Sequence, residues 1–408
     1  MKIAYITAYT PFGRGETFIL EEMEAVIANG VDLTIIPKNP PKDIFHKAGV
    51  KLKDKTICLP LLNLAILRSF LRKIHKAAVW DVLRTMLYQS RSLKIFLKNL
   101  AILPKAVHIS KLIGSMNIGH LHAHWGSTTA TMTWIISKLT NIPWSMTLHR
   151  WDITENNLMK IKVAQASFVR CISESGLHEV LELVGNEYEH KLILIHMGVS
   201  IPTRECSSVH STSKDMIFAC PANLLPVKGH RYLIKAFRLL KDMGINNYQC
   251  LFIGDGPLAN EILQNIIENH LQEVVKPIGS ISHERLMEMY RKREINAVVL
   301  PSIITEDGEK EGIPVSLMEA MAHGIPVIST RTGGIPELLS EGAGLLVDEK
   351  NSGKLASTLF KFLSDPVSYR ELSDKGYKRV VCDFNSEINV RRLISMMASH
   401  TCMTSRRN

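Results

Sequence analysis

The chain has 408 residues, 46% of them apolar and 22% charged, a balance that suits globular domains with sizeable cores and excludes a disordered or low-complexity protein. Seven cysteines form no Cys-x-x-Cys pair and no metal-ligand spacing, so reduced thiols are expected rather than a disulfide framework or a zinc module. The formal net charge of +10 is largely local: between Pro60 and Ser115 lie Arg68, Arg72, Lys73, Lys76, Arg84, Arg91, Lys94, Lys98, Lys105 and Lys111, with Asp81 as the only acid.

The length accommodates two domains of ordinary size. Met1-Lys2 leads straight into a predicted strand, Ile3 to Thr7, so no signal peptide is expected. Pro11 to Glu16 reads as a loop rich in free N–H groups, and Thr17 as the cap of a helix with Phe18, Ile19, Met23 and Val26 on its apolar stripe. Leu33 to Ile36 is a second strand. The start is βαβ, but Gly13-x-Gly15 lacks the third glycine of a dinucleotide fingerprint. The greasiest run, Leu59 to Leu67, is broken by Asn63 and falls far short of the roughly 20 residues of a spanning helix.

Asn63 to Lys111 predicts two or three amphipathic helices, with Leu64, Leu67, Phe70, Leu71 and Ile74 at helical spacing and the basic residues largely between them. Such a face is an ordinary solvated one or a surface for an anionic membrane. Nucleic acid is disfavoured, because no nucleic-acid fold motif accompanies the charge. The segments His120 to Gly126 and Thr147 to Ile153 each end a predicted strand, where open α/β sheets place ligands. Three alternating histidines could suggest a metal. On a strand they lack the convergence of a helical His-x-x-x-His pair, and no carboxylate is close in sequence, so no metal site is expected.

Phe168 to Ile172 and Leu192 to Ile195 are further strands, and Ile201 to Lys214 is the best linker candidate. The alternation restarts at Met216 to Cys220, followed by a loop from Pro221 to His230 in which Lys228 at a helix start is a sensible phosphate partner. Leu251 to Pro257 reads as strand then turn, as does the segment ending Ile278-Gly279-Ser280-Ile281. Val298 to Ser302 is a strand that leads to Glu311-Gly312-Ile313-Pro314-Val315. A short apolar helix over Val315 to Ala322 follows, stopped by Gly324 and Pro326. Val327 to Thr330 is a buried strand, Thr332-Gly333-Gly334 a turn, and Ile335 opens a helix. Leu355 to Leu363, Tyr369 to Val380 and Glu387 to Met397 are the last predicted helices.

Glu311-x7-Glu319, with Ala-Met-Ala-x-Gly-x-Pro-Val and Gly-Gly-Ile-Pro-Glu after it, resembles the donor-site signature of retaining glycosyltransferases of family 4. His122-Ala123-His124-Trp125, the Thr-x-His-x-x-Asp pattern ending at Asp152, Lys228-Gly229 and Gly254-Asp255-Gly256-Pro257 extend the resemblance over nearly the whole chain. Glu16-Thr17-Phe18-Ile19 resembles the opening of members that build cell-surface polysaccharides, of the colanic acid or exopolysaccharide type. The resemblance implies the GT-B fold, an α/β architecture of two Rossmann-like domains facing each other across a cleft. The expected boundaries are 1–205 for the acceptor domain, 206–385 for the nucleotide-sugar domain, and 386–408 for a helix crossing back to the first.

By the same match, Glu319 would hold ribose hydroxyls, Lys228 and Glu311 would act at the diphosphate and the transferred sugar, and His149 would meet that sugar near its reaction centre. Asp152 would shape the sugar pocket, and His124 and Trp125 would line the acceptor side. Gly13, Gly15 and Glu16 would approach phosphates and acceptor. Asn223, Gly254, Gly256, Ile281, Gly312, Ile313, Pro314 and Val315 would complete the donor site. Asn223 stands where the family usually has arginine, which thins the diphosphate clamp unless Arg14 or Arg331 compensates.

No Asp-x-Asp occurs, so the resemblance implies a metal-free, front-face transfer in which the leaving phosphate takes the acceptor proton, without cofactor. The expected partners are a nucleotide sugar, a saccharide or polyprenyl-diphosphate-linked acceptor and the inner face of the cytoplasmic membrane, not nucleic acid. A GT-B epimerase or phosphorylase fits less well, and an inactive nucleotide-sugar binder has only Asn223 in its favour. Base, sugar and linkage stay open at this stage.

Overall fold

Short apolar runs bounded by glycine, proline or a helix cap become strands here, and every described strand pairs in parallel. Parallel strands need covering on both faces, which is why most of these runs are apolar along their length instead of alternating. The computed structural model describes the chain except residues 11–18, 41–46, 203–214, 366–367 and 406–408, with the backbone alone at 47–48, 368–369 and 402–405. It divides into two units, Met1–Met197 with Ser386–Asn408, and Gly198–Asn385.

The first unit runs β1 (Lys2–Thr7), α1 (Leu20–Ala28), β2 (Asp32–Pro37), α2 (Leu64–Lys73), α3 (Ala77–Gln89), α4 (Leu93–Ile113), β3 (His120–His124), α5 (Thr128–Thr140), β4 (Trp144–Leu148), α6 (Arg150–Glu155), α7 (Met159–Gln165), β5 (Phe168–Cys171), α8 (Glu174–Val184) and β6 (Leu192–Leu194). Its sheet has the order β2-β1-β3-β4-β5-β6. Side chains alternate across the strands. Ala4, Ile6, Leu121, Ala123, Met146 and Leu148 enter one core with α4 and α5. Ile3, Tyr5 and Phe168 enter another, against Met23 and Val26 of α1.

The second unit runs β7 (Met216–Pro221), α9 (His230–Asp242), β8 (Tyr248–Ile253), α10 (Ala259–Glu268), β9 (Val275–Gly279), α11 (His283–Arg291), β10 (Ala297–Leu300), α12 (Val315–Ala322), β11 (Val327–Thr330), α13 (Ile335–Leu338), β12 (Leu345–Val347), α14 (Ser352–Ser364) and α15 (Ser368–Asp383). Its sheet order is β12-β11-β10-β7-β8-β9, around a continuous core that includes all of β10. The last helix, α16 (Ser386–Ser405), belongs to the first unit, where Val390, Leu393 and Met397 join the core beside α1.

The leucine stripe of α2 does not face the core: Ile66 is buried, whereas Leu64, Leu67 and Leu71 are exposed. Helical periodicity identifies an amphipathic helix but not which side finds a partner. One expectation for α2–α4 changes, the place of Lys105 in the basic region. Lys105 is no part of a basic surface. It is fully buried, and its Nζ donates to the carbonyls of Pro37 (2.8 Å), Lys38 (2.6 Å) and Leu59 (2.7 Å). Burial pulls its pKa down to about 8. Among the described residues, no helix is long and apolar enough to cross a membrane.

Candidate functional site

In an open parallel sheet, ligands sit beyond the carboxyl ends of strands where the winding direction reverses. The first unit reverses between β1 and β3. The loop after β1 contains Gly13, Gly15 and Glu16, which lie outside the described residues. The end of β3 is His124-Trp125, and the neighbouring end of β4 is His149.

Trp125 has φ of 100°, a conformation that a bulky side chain adopts only under constraint, at a cost of order 1–3 kcal/mol. Its N–H donates to the Thr147 carbonyl at 3.1 Å, and its indole lies 4.3 Å from the His149 ring. His149 in turn places Nε2 at 2.9 Å from Nε2 of His124. The His149 N–H donates to Asp152 Oδ2 at 2.9 Å, so Asp152 caps α6 from a buried position. Burial raises the Asp152 carboxyl to about 6, against the pull of the Gly126 and His149 N–H groups. Lys162, also buried, donates to the carbonyls of Gly126 (2.7 Å) and Ser127 (2.8 Å), and burial lowers it to about 7. Trp125, Asp152, Trp151 and Glu155 line a cavity of about 560 Å³ together with Lys94 and Lys98 of α4.

Behind His124 stands a group that the sequence reading missed. Glu22 projects from α1 into the sheet and meets the Arg170 guanidinium at 2.5 Å, the Tyr5 hydroxyl at 3.3 Å and Nδ1 of His124 at 3.6 Å. Arg170 also donates to the carbonyls of Ile195 and His196, at 2.8 and 2.7 Å. Burial alone would raise the Glu22 pKa, but Arg170 and His124 outweigh it and hold the carboxyl well below its usual range. Burial above all, with the Arg170 guanidinium nearby, holds the His149 pKa well below the usual histidine range and keeps the ring neutral. The signal was present in the sequence: Glu22 falls on the apolar stripe of Ile19, Met23 and Val26.

No carboxylate is close to the histidines in sequence, but one reaches them in space: ligand atoms of Glu22, His122 and His124 lie within 4.8 Å of one another. The donor set nevertheless does not suit a cation. His122 already uses Nδ1 on Ser145 Oγ (2.8 Å) and Nε2 on Thr147 Oγ1 (3.0 Å), and Glu22 faces the buried positive charge of Arg170.

The second unit reverses between β7 and β10, and the loops after these two strands carry Lys228 and Glu311. Their side chains form an ion pair, with Ser302 Oγ donating to Glu311 at 3.4 Å. The loops are tied closely. Gly229 has φ of +69°, and a Cβ there would lie 2.0 Å from the Pro301 carbonyl oxygen. Gly333, at φ of +57°, backs onto Glu311 so closely that a Cβ would sit 1.9 Å from its carbonyl oxygen, and the Gly334 N–H donates to Gly312 at 3.0 Å. The glycine turn thus clamps the Glu311-Gly312 loop, and Ile313, buried Pro314 and exposed Val315 lead from it into α12.

Neighbouring loops converge in the same way. Leu224 N–H donates to Asp255 and Gly254 N–H to Gly279, both at 3.0 Å, which joins the loops after β7, β8 and β9. Gly256 therefore packs on Leu224, Asn223 is exposed beside it, and Ile281 follows β9 half-buried. Glu319 is half-buried on α12, and its Oε1 lies 2.8 Å from Nε2 of His283 at the start of α11. His283 is a second residue missed, with no sequence signal beyond its place after the Ser282 cap. Arg331 faces Asp348 at 3.8 Å, both exposed. Arg14 lies outside the described residues.

Residues 205–379 match the family model described as Glycosyl transferases group 1. The chain is 29% identical to the protein named colanic acid biosynthesis glycosyltransferase WcaL of Salmonella typhimurium, over 97% of this chain and 99% of that one. It is 25% identical to the amylovoran biosynthesis glycosyltransferase AmsK of Erwinia amylovora, over 97% and 99%. Among solved structures, Anabaena HepE in complex with UDP superposes with a TM-score of 0.73 at 15% identity, covering 98% of this chain and 100% of that one. The sucrose-phosphate synthase of Thermosynechococcus elongatus does so with 0.70 at 20% identity, covering 98% and 99%. The fold these two share with the chain is GT-B.

Proposed function

For a glycosyltransferase whose residues 205–379 form a group 1 domain, we propose retaining transfer of a hexose from a nucleoside-diphosphate sugar to a saccharide acceptor in surface polysaccharide assembly. The observation that carries this reading is the Lys228–Glu311 pair at the reversal point of the second sheet, with Glu319 one helix turn beyond the clamped glycine loop. Lys228 and the N–H groups opening α12 supply fixed positive potential for a departing diphosphate. Glu319, now turned to His283, would exchange that partner for ribose hydroxyls. His149, neutral beside a strained Trp125, would meet the sugar. The leaving phosphate oxygen takes the acceptor proton, so no side chain forms a covalent bond to the sugar. The polysaccharide context is supported by the relatives named for colanic acid and amylovoran synthesis.

The acceptor we propose is lipid-linked, reached by peripheral contact of α2–α4 with an anionic membrane. Leu62, Leu64, Leu71, Trp80, Tyr88 and Leu93 are exposed among Arg68, Arg72, Lys76, Arg84 and Arg91. Each cation is worth roughly 1 kcal/mol at such a surface. Liposome flotation at low salt tests this: the wild type floats with anionic vesicles, and reversal of Arg72, Lys73 and Lys76 to Glu releases it. A wild type that stays soluble overturns the membrane half. A panel of nucleotide sugars, screened by thermal shift and then for transfer in EDTA, tests the rest. Binding without turnover, or turnover that needs a divalent ion, would overturn it.

A further inference from the structure

Glu22 is buried, with its carboxylate turned to Tyr5, Arg170 and His124, and it is the only carboxylate in the fully buried cluster of Tyr5, Glu22, His122, His124 and Arg170. We propose that Glu22 is a positioning residue: acting through His124, it dictates which nitrogen of His149 carries the proton. The inference deepens the sugar-contacting role proposed for His149.

An ionised carboxylate only accepts, so Nδ1 of His124, 3.6 Å from Glu22 Oε1, carries the hydrogen on that side. Arg170 already balances the charge of Glu22, and a second cation on the fully buried His124 would stand uncompensated, so the ring carries one hydrogen and has its lone pair on Nε2. His149 Nε2, 2.9 Å away, must be the donor, which leaves the lone pair of His149 on Nδ1. The remaining neighbours reinforce this order. Arg170 holds Glu22 in its ionised form, and Tyr5 donates to the same carboxylate. His122 is occupied by Ser145 and Thr147 and does not compete. His149 therefore offers its ligand an acceptor, suited to a sugar hydroxyl, in place of an N–H donor. Trp125 lies tilted against the ring, with centroids 4.3 Å apart, and restricts its rotation.

The test uses the full chain labelled with ¹⁵N-histidine. Long-range ¹H–¹⁵N spectra, with His149→Asn to assign the ring, are expected to show His149 neutral with the proton on Nε2 alone. In the double variant Glu22→Leu/Arg170→Met, which removes both buried charges together, His149 is expected to show averaged nitrogens. Turnover should fall by about tenfold or more with KM for the nucleotide sugar nearly unchanged, as when a triad histidine loses the carboxylate that fixes its tautomer. Glu22→Asp, which keeps the charge near Arg170 but withdraws it from His124, serves if the double variant does not fold and is expected to give the same loss. A wild-type His149 protonated on Nδ1, or a folded variant that keeps the wild-type ring pattern, overturns the proposal. Absence of transfer from every nucleotide sugar by the wild type would sink the enzymatic reading of His149 and leave the tautomer result standing.

Discussion

The two units place charge in opposite ways. In the first, Glu22 and Arg170 are almost entirely removed from water, with further buried partners on nearly every polar atom. In the second, the Lys228–Glu311 pair, to which Ser302 also donates, and the Glu319–His283 pair keep water on at least one side. A buried pair costs desolvation that its attraction barely offsets, but it cannot rearrange cheaply. A half-open pair contributes little stability and can exchange partners. The first arrangement suits a group whose orientation must not change, the second a site that trades an internal partner for a ligand.

The largest effect expected from this contrast is on stability. Arg170→Met alone strands an ionised Glu22 and should cost about 3–5 kcal/mol in urea unfolding, while Glu22→Leu/Arg170→Met should recover at least half of the loss. Equal stability of the single variant and the wild type would break the comparison at its buried end. At the more open end, Lys228→Ala should cost less stability than Arg170→Met, about 1–3 kcal/mol for the partner it removes from Glu311. It should reduce turnover by about 10²–10³, the scale for removing one preorganised donor to a developing anion. A variant that lost stability and kept its rate would invert the assignment.

Next comes Asp152, whose sign follows from its raised pKa. The folded carboxyl holds its proton more tightly than the unfolded one, so ionisation disfavours the fold as pH rises from about 4 to about 6. Relative to Asp152→Asn, the wild type should lose up to about 3 kcal/mol across that window, from a shift of 3.8 to about 6. Parallel unfolding curves at all pH values would show that the carboxyl is not desolvated. The smallest effect is Glu319→Gln, expected to weaken nucleotide-sugar binding by about 1–3 kcal/mol in calorimetry. Unchanged affinity would remove Glu319 from the donor site and leave its carboxylate a structural partner of His283.

Much of this arrangement was legible because it is local. The strands before His149, Lys228 and Glu311, and the helix carrying Glu319, follow from runs of a few residues and the glycines and prolines that stop them. What was not legible depends on distant chain. Glu22 and Arg170 are 148 residues apart, and Glu319 and His283 are 36 apart, so no window of sequence pairs them. Helix α5 was hidden for another reason. Its Thr128-Thr129-Ala130-Thr131-Met132-Thr133 opening is rich in β-branched residues, poor helix formers, and burial on all sides overrides that preference. Lys105 looked like surface charge because its three carbonyl partners come from two other segments.

The return of α16 to the first unit has a consequence for how the chain is made. Residues emerge from the ribosome in order, and domains generally fold as they appear. The second unit is complete once Asn385 has emerged, but the first still lacks Val390, Leu393 and Met397, which close the core over α1 and β1. Biogenesis thus runs backwards relative to sequence: the amino-terminal half waits, partly uncovered, for the carboxyl-terminal helix. A nascent chain stalled before Ser386 would expose the apolar side of α1 to chaperones while its second unit was already protected from protease.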